Sequence, residues 1–384
     1  MPERPNSDYR IAIFRLHQAC PFCHYFAIFA AMKQTDFDKY IRQVEPEARE
    51  SAEAWNTAIG LQAVDGLKPS PYLLDTARRN IEGDISIDEV RQLLDTYYRS
   101  KTARKQVDDG TEEADKVSAN IKKILSSRTF AFNANGFIAT HRRVFEGVFK
   151  HAGELRQYDI TKKEWVLGGD TVHYLNWEDL RKALDYDIKQ EKEFSYAMLN
   201  DDDKVSHICH FVSGLWQIHP FGEGNTRTTA VFTIQYLRSM GFKVNNDLFA
   251  LHSWYFRNAL VRANYKNVQK GIDYDYSFLV RFFRNLLLGE NNELKNRHML
   301  INAPKEWQIT DDKPTINDGK QPLTDDKPTI ILAYLKEKGT CRTAELAAWL
   351  GLKSTQTKTY LYQLMKEGKI VAHGANKNRT YSLA

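Results

Sequence analysis

Nine consecutive residues in the second half of the chain combine side chains that could act together on a phosphate ester. They read His219-Pro-Phe-Gly-Glu-Gly-Asn-Thr-Arg227. An imidazole with a pKa near neutrality can accept the proton of an incoming hydroxyl group. A carboxylate such as that of Glu223 can share Mg²⁺ with the phosphates of a nucleotide. The segment therefore predicts a general base, a metal ligand and an anion site within one short loop.

The anion site is expected because a new helix is predicted to begin near Asn225, directly after the loop. The first N–H groups of a helix have no internal partner, and the dipole there is positive. Gly224 allows the backbone to approach a phosphate closely, while Asn225 and Arg227 add side-chain donors. This interpretation requires an imidazole open to solvent and loop amides that are not already used. The alternative is a buried histidine beside a polar helix cap.

The loop resembles the signature of the Fic family, H-P-F-x-[DE]-G-N-x-R, at all of its specified positions. The segments His141-Arg-Arg-Val-Phe-Glu-Gly147 and Ala152-Gly-Glu-Leu-Arg156 resemble the helix and turn that precede a hairpin in this family. The resemblance covers residues 120–290 and implies a mainly α fold, a Fic helical bundle with a short β-hairpin flap. It also implies transfer of AMP from Mg-ATP to a Ser, Thr or Tyr hydroxyl of a target protein or of the chain itself.

The resemblance also implies residue roles. His219 would be the general base and Glu223 the Mg²⁺ ligand. ATP would be bound by the loop and by one face of a later helix: Glu223, Gly224, Asn225, Thr226, Arg227, Phe256, Arg257 and Asn264. The flap would hold a target segment by strand addition and would consist of Leu167, Gly168, Gly169, Asp170 and Thr171. Alternatives are a solvated helix residue for Asn264 and an ordinary hairpin for the flap.

Two positions depart from the family pattern. Most AMP-transferring members carry a second Arg three residues after the first, and here Ala230 stands in its place. That Arg helps to position the outer phosphates, so its absence predicts weaker ATP orientation or a change in the favoured reaction. Thr226 stands at the family's second Gly, where kinase-like members carry Lys. Two alternative functions are therefore a DNA-binding regulator with altered catalysis and an enzyme that removes AMP or transfers another phosphate group.

An inhibitory segment is predicted upstream of the loop. Residues 60–67, Gly-Leu-Gln-Ala-Val-Asp-Gly-Leu, resemble the inhibitory helix [ST]-x-x-x-E-G of the antitoxin partners of this family. Leu61 replaces Ser or Thr, and Asp65 replaces Glu. Because the second Arg is absent, Asp65 would have to act on Arg227 or Asn225. The resemblance therefore implies autoinhibition through Asp65, and a helix that simply ends at Gly66 is the alternative.

The chain divides into five predicted segments. These are an uncertain extension 1–31, an N-terminal helical and antitoxin-like inhibitory region 32–105, a Fic catalytic domain 106–295, a linker 296–328 and a winged helix 329–384. Within them, Ser86 and Glu89 form a capping-box pattern at a helix start. The charged residues 101–120 predict a connection. Residues 155–175 predict the hairpin, with its turn at Gly168 and Gly169.

The tail is basic. From Asp326 onward it holds ten Lys and Arg against four Asp and Glu, a net charge of about +6. Three predicted helices and a hairpin indicate a winged helix, whose third helix begins at Ser354 with residues suited to phosphate and base-edge contacts. Duplex DNA is therefore one predicted partner. A protein-docking or dimerising module is the alternative.

Composition bounds the class of protein. The 384 residues carry mixed charges with a net of +5, as expected of a globular chain of two or three domains. The four cysteines include a lone C-x-x-C at Cys20 and Cys23, without the second pair that a zinc site needs. No apolar run reaches the ~18 residues of a membrane span. The sequence predicts a cytoplasmic protein with no membrane partner, and it leaves a homodimer open.

Overall fold

The computed structural model describes residues 37–41, 46–100, 109–244, 247–302, 327–350, 354–374 and 379–384. The predicted extension 1–31 and most of the predicted linker lie outside the described residues. The fold is mainly α with one small sheet, as predicted. None of the helices in these ranges has the length and apolar character needed to cross a membrane.

The secondary structure consists mostly of α-helices. In chain order they are α1 Asp38–Ile41, α2 Pro46–Gly60, α3 Pro71–Ile81, α4 Ile87–Arg99, α5 Asp109–Leu125, α6 Ala134–Val144, α7 Leu180–Glu193, α8 Asp201–Ile218, α9 Asn225–Ser239, α10 Asp247–Ala263, α11 Ser277–Leu288, α12 Lys327–Lys338, α13 Thr343–Leu350 and α14 Ser354–Lys366. The strands are β1 Thr340–Arg342, β2 Ile370–His373 and β3 Thr380–Leu383. Short 3-10 helices lie at Leu61–Asp65, Trp165–Leu167, Trp177–Asp179, Val268–Lys270 and Asn296–Met299.

The N-terminal helices form a core of their own, and α2 joins it to the central core. The predicted capping box is present: the Ser86 side chain accepts from the Glu89 N–H, and the Glu89 carboxylate accepts from the Ser86 N–H. Gly60, at the end of α2, packs on the backbone of α10, and a Cβ at Gly60 would lie 2.4 Å from the Cα of Ala250. This close approach fixes the 3-10 segment Leu61–Asp65 beside the centre of the molecule.

Helix α5 is a correction to the sequence analysis, which predicted a connection over residues 101–120. Its polar side chains form hydrogen bonds with partners that are distant in sequence. A polar and charged composition therefore did not mean that the segment is a solvent-exposed connection. Asp115 is fully buried and accepts hydrogen bonds from the backbone N–H of Ser70 (2.8 Å) and from the Tyr98 hydroxyl (2.5 Å). Burial raises the pKa of Asp115. The helix thereby ties α3 and α4 to the central helices of the molecule.

Helix α9 is the central helix of the larger core. Every residue from Asn225 to Leu237 is buried, which requires neighbours on all sides. Helices α6 and α8 pack on it, and the 3-10 segment Leu61–Asp65 lies at its N-terminal end. The loop between α8 and α9 is residues 219–224, so the predicted site lies at the start of the most buried helix.

The predicted hairpin over residues 155–175 differs from the structure. The chain does reverse, since Glu164 N–H donates to Asp170 O (2.8 Å) and Gly169 N–H donates to Glu164 O (3.0 Å). No strand is assigned in this described segment, and the 3-10 helix Trp165–Leu167 occupies the turn. All three of its residues are buried in the core, which removes them from any exposed strand edge. The segment 155–175 is called the flap below.

The tail contains the three predicted helices and a three-stranded antiparallel sheet of order β1-β3-β2. Strand β1 was not predicted; it is only three residues long and pairs Cys341 with Tyr381 of β3. Apolar residues of these helices and strands form a separate small core. The interpretation of this unit as a winged helix and its binding to DNA stay predictions.

Candidate active site

The loop between α8 and α9 begins with a strained residue. His219 has φ 49°, the left-handed conformation, and no other non-glycine residue in the described ranges has a positive φ. Such a conformation costs about 1–3 kcal/mol and persists where surrounding contacts impose it. Here Arg156, whose side chain is fully buried, imposes it by donating to carbonyl oxygens on both sides of the loop. Its acceptors are His219 (2.8 Å), Tyr158 (2.6 Å), Ile218 (3.4 Å) and Leu175.

The His219 imidazole is neutral and carries its lone pair at Nε2. Nδ1–H donates to the carbonyl oxygen of Trp216 (3.2 Å), which leaves Nε2 without a proton. Burial, followed by the positive charge of Lys162, holds the His219 pKa well below its usual value. No hydrogen-bond partner for Nε2 is found within the described ranges. An unprotonated, unpaired nitrogen is the form that a general base requires.

The same imidazole does not reach solvent, contrary to what the sequence interpretation required. His219 is 2% exposed, and the ring of Tyr174 lies over it with 4.1 Å between centroids. The Tyr174 hydroxyl donates to Glu164 Oε1 (3.2 Å), which keeps the ring in place. The condition of an imidazole open to solvent is therefore not met in this structure, because Tyr174 covers the ring.

The sequence interpretation also required backbone N–H groups in the loop that are not already hydrogen-bonded, and this condition is met. Among the described residues, no acceptor is found for the N–H groups of residues 222–227. They lie at the N-terminal end of α9, where the helix dipole favours an anion. Gly224 has φ 71°, and a Cβ there would lie 2.2 Å from the Phe145 ring. Only glycine can place the backbone so close to Phe145. The N–H groups of residues 222–227 stay available to an external acceptor.

The side chains of Asn225 and Thr226 hold the loop together, and their role in lining the phosphates stays a prediction. Asn225 donates from Nδ2 to the Phe221 carbonyl (2.7 Å) and accepts at Oδ1 from the Phe221 N–H (3.0 Å). The Thr226 hydroxyl accepts from Trp216 Nε1 (2.9 Å). Phe221 points inward, as predicted, and is fully buried.

His141 supports the loop from α6 and was not predicted as part of the site. Its Nδ1 accepts from the Gly153 N–H (2.8 Å), so Nε2–H donates to the carbonyl oxygen of Glu223 (3.1 Å). Its ring stacks on Phe221 with 3.8 Å between centroids. Burial lowers the pKa of His141 to about 3. A neutral His141 thus fixes the turn that carries Glu223.

Glu223 has the placement expected of a Mg²⁺ ligand shared with a nucleotide. Its side chain is exposed, and it forms no ion pair with another described residue. Within the described ranges, no group of three or more His, Cys, Asp or Glu could hold a metal on its own. One carboxylate beside a row of free amides fits a metal that takes its other ligands from phosphates and water.

Arg227 is held by three side chains from the N-terminal region. Its Nη1 donates to Gln62 Oε1 (3.0 Å) and its Nη2 to Glu113 Oε1 (2.7 Å). Its Nε lies 2.9 Å from Asp65 Oδ2, an ion pair whose geometry does not make a hydrogen bond. The guanidinium also lies over the Phe145 ring and is 2% exposed. The Asp65 contact follows the prediction, whereas Gln62 and Glu113 were not predicted.

Comparison with known proteins identifies the segment that contains this loop. A family model described as Fic/DOC family matches residues 131–237. Over this segment, less than a third of the chain, the sequence is similar to the Fic/DOC family. A second family model, described as FaeA-like protein, matches residues 328–377 in the tail.

Three relatives align with this chain. Protein adenylyltransferase VbhT of Bartonella schoenbuchensis is 24% identical over 139 residues, 35% of this chain and 28% of VbhT. Probable protein adenylyltransferase Fic of Salmonella typhimurium is 27% identical over 119 residues, 30% of this chain and 55% of that protein. The alignments thus span between about a quarter and just over half of these two relatives. A Fic family protein from Desulfovibrio desulfuricans G20 of known structure aligns at 16% identity over 89% of this chain and 97% of its own, with a TM-score of 0.35.

Of the three residues predicted to lie on the adenine side, Arg257 contacts the flap that covers His219. Its Nη1 is 2.7 Å from Glu164 Oε2, and both side chains are largely buried. Phe256 is fully buried among the aromatic rings of the core, including Phe282. Asn264 donates to Ser213 and to the Leu260 carbonyl and is 7% exposed. In this structure, Phe256 and Asn264 pack within the protein, and their role as ATP ligands stays a prediction.

The flap of the Fic/DOC site is anchored at its turn. Asp170 accepts from the Tyr265 hydroxyl (2.7 Å) and pairs with Lys270 (3.2 Å). The first of these contacts is the main reason that the pKa of Asp170 is lowered to about 2. Leu167 is buried, Gly168 and Gly169 have positive φ, and Thr171 accepts from the Lys162 N–H (3.3 Å). The predicted target-binding residues thus form a fixed turn, and strand addition there stays a prediction.

Proposed function

We propose that this chain is a protein adenylyltransferase, which transfers AMP from Mg-ATP to a Ser, Thr or Tyr hydroxyl of a target protein or of itself. The observation that carries the proposal is the unpaired, neutral Nε2 of His219 next to the unused amides of residues 222–227. The two curated relatives named above are described as a protein adenylyltransferase and a probable protein adenylyltransferase. This support comes from the Fic/DOC segment alone.

The proposed reaction uses the loop as follows. The triphosphate lies against the amides of residues 222–227, which orient the α-phosphate. His219 Nε2 takes the proton of the acceptor hydroxyl, whose oxygen forms a bond to the α-phosphorus. The bond from that phosphorus to the bridging oxygen of the β-phosphate breaks, and pyrophosphate leaves. Mg²⁺, when bound by Glu223 and the phosphates, supplies positive charge for the leaving group.

We also propose that the form seen here is autoinhibited. Asp65 and Glu113 neutralise Arg227, and Gln62 takes a third donor of the same guanidinium. Tyr174 covers the base. A polyphosphate must therefore displace these contacts before Arg227 can bind it. The ion pair between Asp65 and Arg227 thus supports the inhibitory role of Asp65 that the family resemblance implies.

The proposal is tested with ATP labelled at the α-phosphate. The full chain is incubated with labelled ATP and Mg²⁺, as wild type and as His219→Ala, with His373→Ala as a matched control. His373 is an exposed histidine of β2 in the tail. Label on protein in the wild type and in His373→Ala, but absent in His219→Ala, is the expected result. Equal labelling of His219→Ala would rule out His219 as the base. No label under any condition, with salt-dependent binding to duplex DNA, would favour the DNA-binding regulator.

A further inference from the structure

The tail contacts the Fic/DOC segment at the turn of the flap. Trp349 of α13 packs edge to face on Trp165, with 6.3 Å between the ring centroids and 80° between the ring planes. Tyr334 of α12 lies 4.4 Å from the same Trp349 ring, so residues of two tail helices meet at this contact. The contact joins the tail, which has a small core of its own, to the segment that covers His219.

Packing, and not hydrogen bonding, holds the indole of Trp165. The side chain is 5% exposed, and no acceptor is found for its Nε1 atom among the described residues. Its other tryptophan neighbour is Trp254 of α10, at 6.5 Å between the ring centroids. An edge-to-face aromatic pair shifts an equilibrium by about 2- to 10-fold. Loss of the Trp349 ring should therefore loosen the turn by a measurable factor.

Glu164, the residue before Trp165, connects the turn to the cover of the proposed base. Its carboxylate is 1% exposed and accepts a hydrogen bond from the Tyr174 hydroxyl (3.2 Å). The Tyr174 ring in turn lies over His219, with 4.1 Å between the ring centroids. A continuous series of contacts thus leads from Trp349 in the tail to the imidazole.

The chain leaves the central core beside the same turn. The N–H of Ile301 donates to the carbonyl oxygen of Val166 (3.0 Å), and the Asn302 side-chain amide lies 3.3 Å from the position of a Cβ at Gly168. Residue 302 is the last described residue before the tail begins at Lys327. The tail is therefore tethered close to the surface on which it packs, which raises its effective concentration there.

We propose that Trp349 is a positioning residue of the site, which holds the flap turn so that Tyr174 stays over His219. The tail thereby supplies an inhibitory contact separate from those that hold Arg227. Without the Trp349 ring, the turn that carries Glu164 is less firmly packed, and Tyr174 leaves the imidazole more often. The inference rests on the proposed adenylyltransferase function, because it concerns the access of an acceptor hydroxyl to the base.

Amide hydrogen exchange of the full chain tests the position of the flap without requiring any activity. Trp349→Leu keeps an apolar side chain and removes the ring. The N–H groups of Glu164 and Gly169, which donate within the flap, should exchange about 2- to 10-fold faster in this variant because the flap opens more often. Trp349→Phe should restore most of the protection. Tyr362→Leu is the matched control, because Tyr362 is an exposed aromatic residue of α14.

Reaction of His219 with diethyl pyrocarbonate, read by mass spectrometry, measures the cover itself. It should be faster by a similar factor in Trp349→Leu and unchanged in the Tyr362→Leu control. If neither flap exchange nor this modification changes in Trp349→Leu, the inference is wrong, whether or not the amides of α14 show that the tail has loosened. A variant with a loosened tail still decides the question, since the turn then loses the same contact.

The labelling assay separates this inference from the proposed function. In Trp349→Leu, kcat for labelling should rise about 2- to 10-fold while KM for ATP stays within about 2-fold, because the cover acts on the base and not on the nucleotide. If the flap loosens but no protein, wild type included, becomes labelled, the positioning role stands and the adenylyltransferase proposal fails. If the wild type becomes labelled and Trp349→Leu changes neither the flap nor the rate, the positioning role alone fails. Faster exchange without faster labelling in an active protein would overturn the inhibitory role.

Discussion

Arg227 Nη2 donates to Glu113 Oε1 at 2.7 Å across 114 residues of sequence. Glu113 belongs to α5, outside the segment that resembles the antitoxin helix. Its hydrogen bond is better aligned than the ion pair between Arg227 and Asp65. The Arg227 guanidinium is thus held from two directions, by the 3-10 segment Leu61–Asp65 and by α5.

If the proposed AMP transfer and autoinhibition hold, removing either carboxylate should raise the rate of labelling. Asp65→Asn and Glu113→Gln each weaken the hold on Arg227 by about 1 kcal/mol, which raises the population of released Arg227 about 5-fold. Labelling of the protein with α-phosphate-labelled ATP should rise accordingly, and more in the double variant. Glu112→Gln is the matched control, because Glu112 pairs with Lys116 and not with Arg227. Unchanged labelling in both single variants would show that these contacts do not limit activity.

The pH dependence of transfer should reflect the lowered pKa of His219. A general base works in its unprotonated form, so activity is full above the folded-state pKa and is lost as the pH falls through it. Because burial holds that pKa below 6.5, kcat/KM should remain near its plateau at pH 6.5 and fall only at lower pH. The measurement is initial labelling rate from pH 5 to 8 at constant ionic strength. A half-maximal rate above pH 6.5 would contradict a neutral, buried imidazole.

Stability should fall in acid through His141. Its folded-state pKa of about 3 lies below the ordinary value of 6.5, so the unfolded chain binds a proton first as the pH falls below 6.5. Each pH unit below 6.5 should lower the free energy of unfolding by about 1.4 kcal/mol, which amounts to about 2 kcal/mol at pH 5. Urea unfolding at pH 7 and pH 5 measures the difference. His141→Gln should be less stable at pH 7 but should lose less on acidification; an equal loss in both proteins would exclude His141 as the source.

Gly224→Ala should damage both stability and activity. The added methyl group would overlap the Phe145 ring, and a φ of 71° strains any residue with a Cβ. We therefore expect the free energy of unfolding to fall by about 3 kcal/mol. Gly241→Ala separates the two causes, because Gly241 has φ 87° and open space around its Cβ. That control should lose only about 1 kcal/mol. Thermal unfolding and the labelling assay report the two effects, and equal losses in the two variants would remove the role of Phe145.

Short sequence patterns predicted those features whose structure is determined by residues close together in the chain. The start of α9 at Asn225 and the capping box at Ser86 follow from short-range hydrogen bonding. The loop motif placed His219 and Glu223 together, because residues this close in sequence on one turn must share a site. The Asp65 contact with Arg227 was available only from the family resemblance, since 162 residues separate the pair.

The rest of the site depends on tertiary contacts that a single sequence does not contain. Arg156 and Tyr174 act on His219 from the flap, and neither has a local pattern that assigns this role. Helix α5 was missed because its buried Asp115 is satisfied by distant partners. The flap lacks strands because Trp165 and its neighbours gained more by entering the core than by pairing along an exposed edge.

The contact between Gly60 and Ala250 limits the ways in which the proposed autoinhibition could be relieved. Ser253 of α10 also donates to the Gly60 carbonyl (2.7 Å). The segment with Gln62 and Asp65 therefore continues directly from a backbone seam that has no room even for a methyl group. A regulator could not displace this segment as a separate unit without breaking the packing of α2 on α10. Activation by small rotations of the Asp65 and Glu113 side chains, driven by the incoming nucleotide, requires far less disruption.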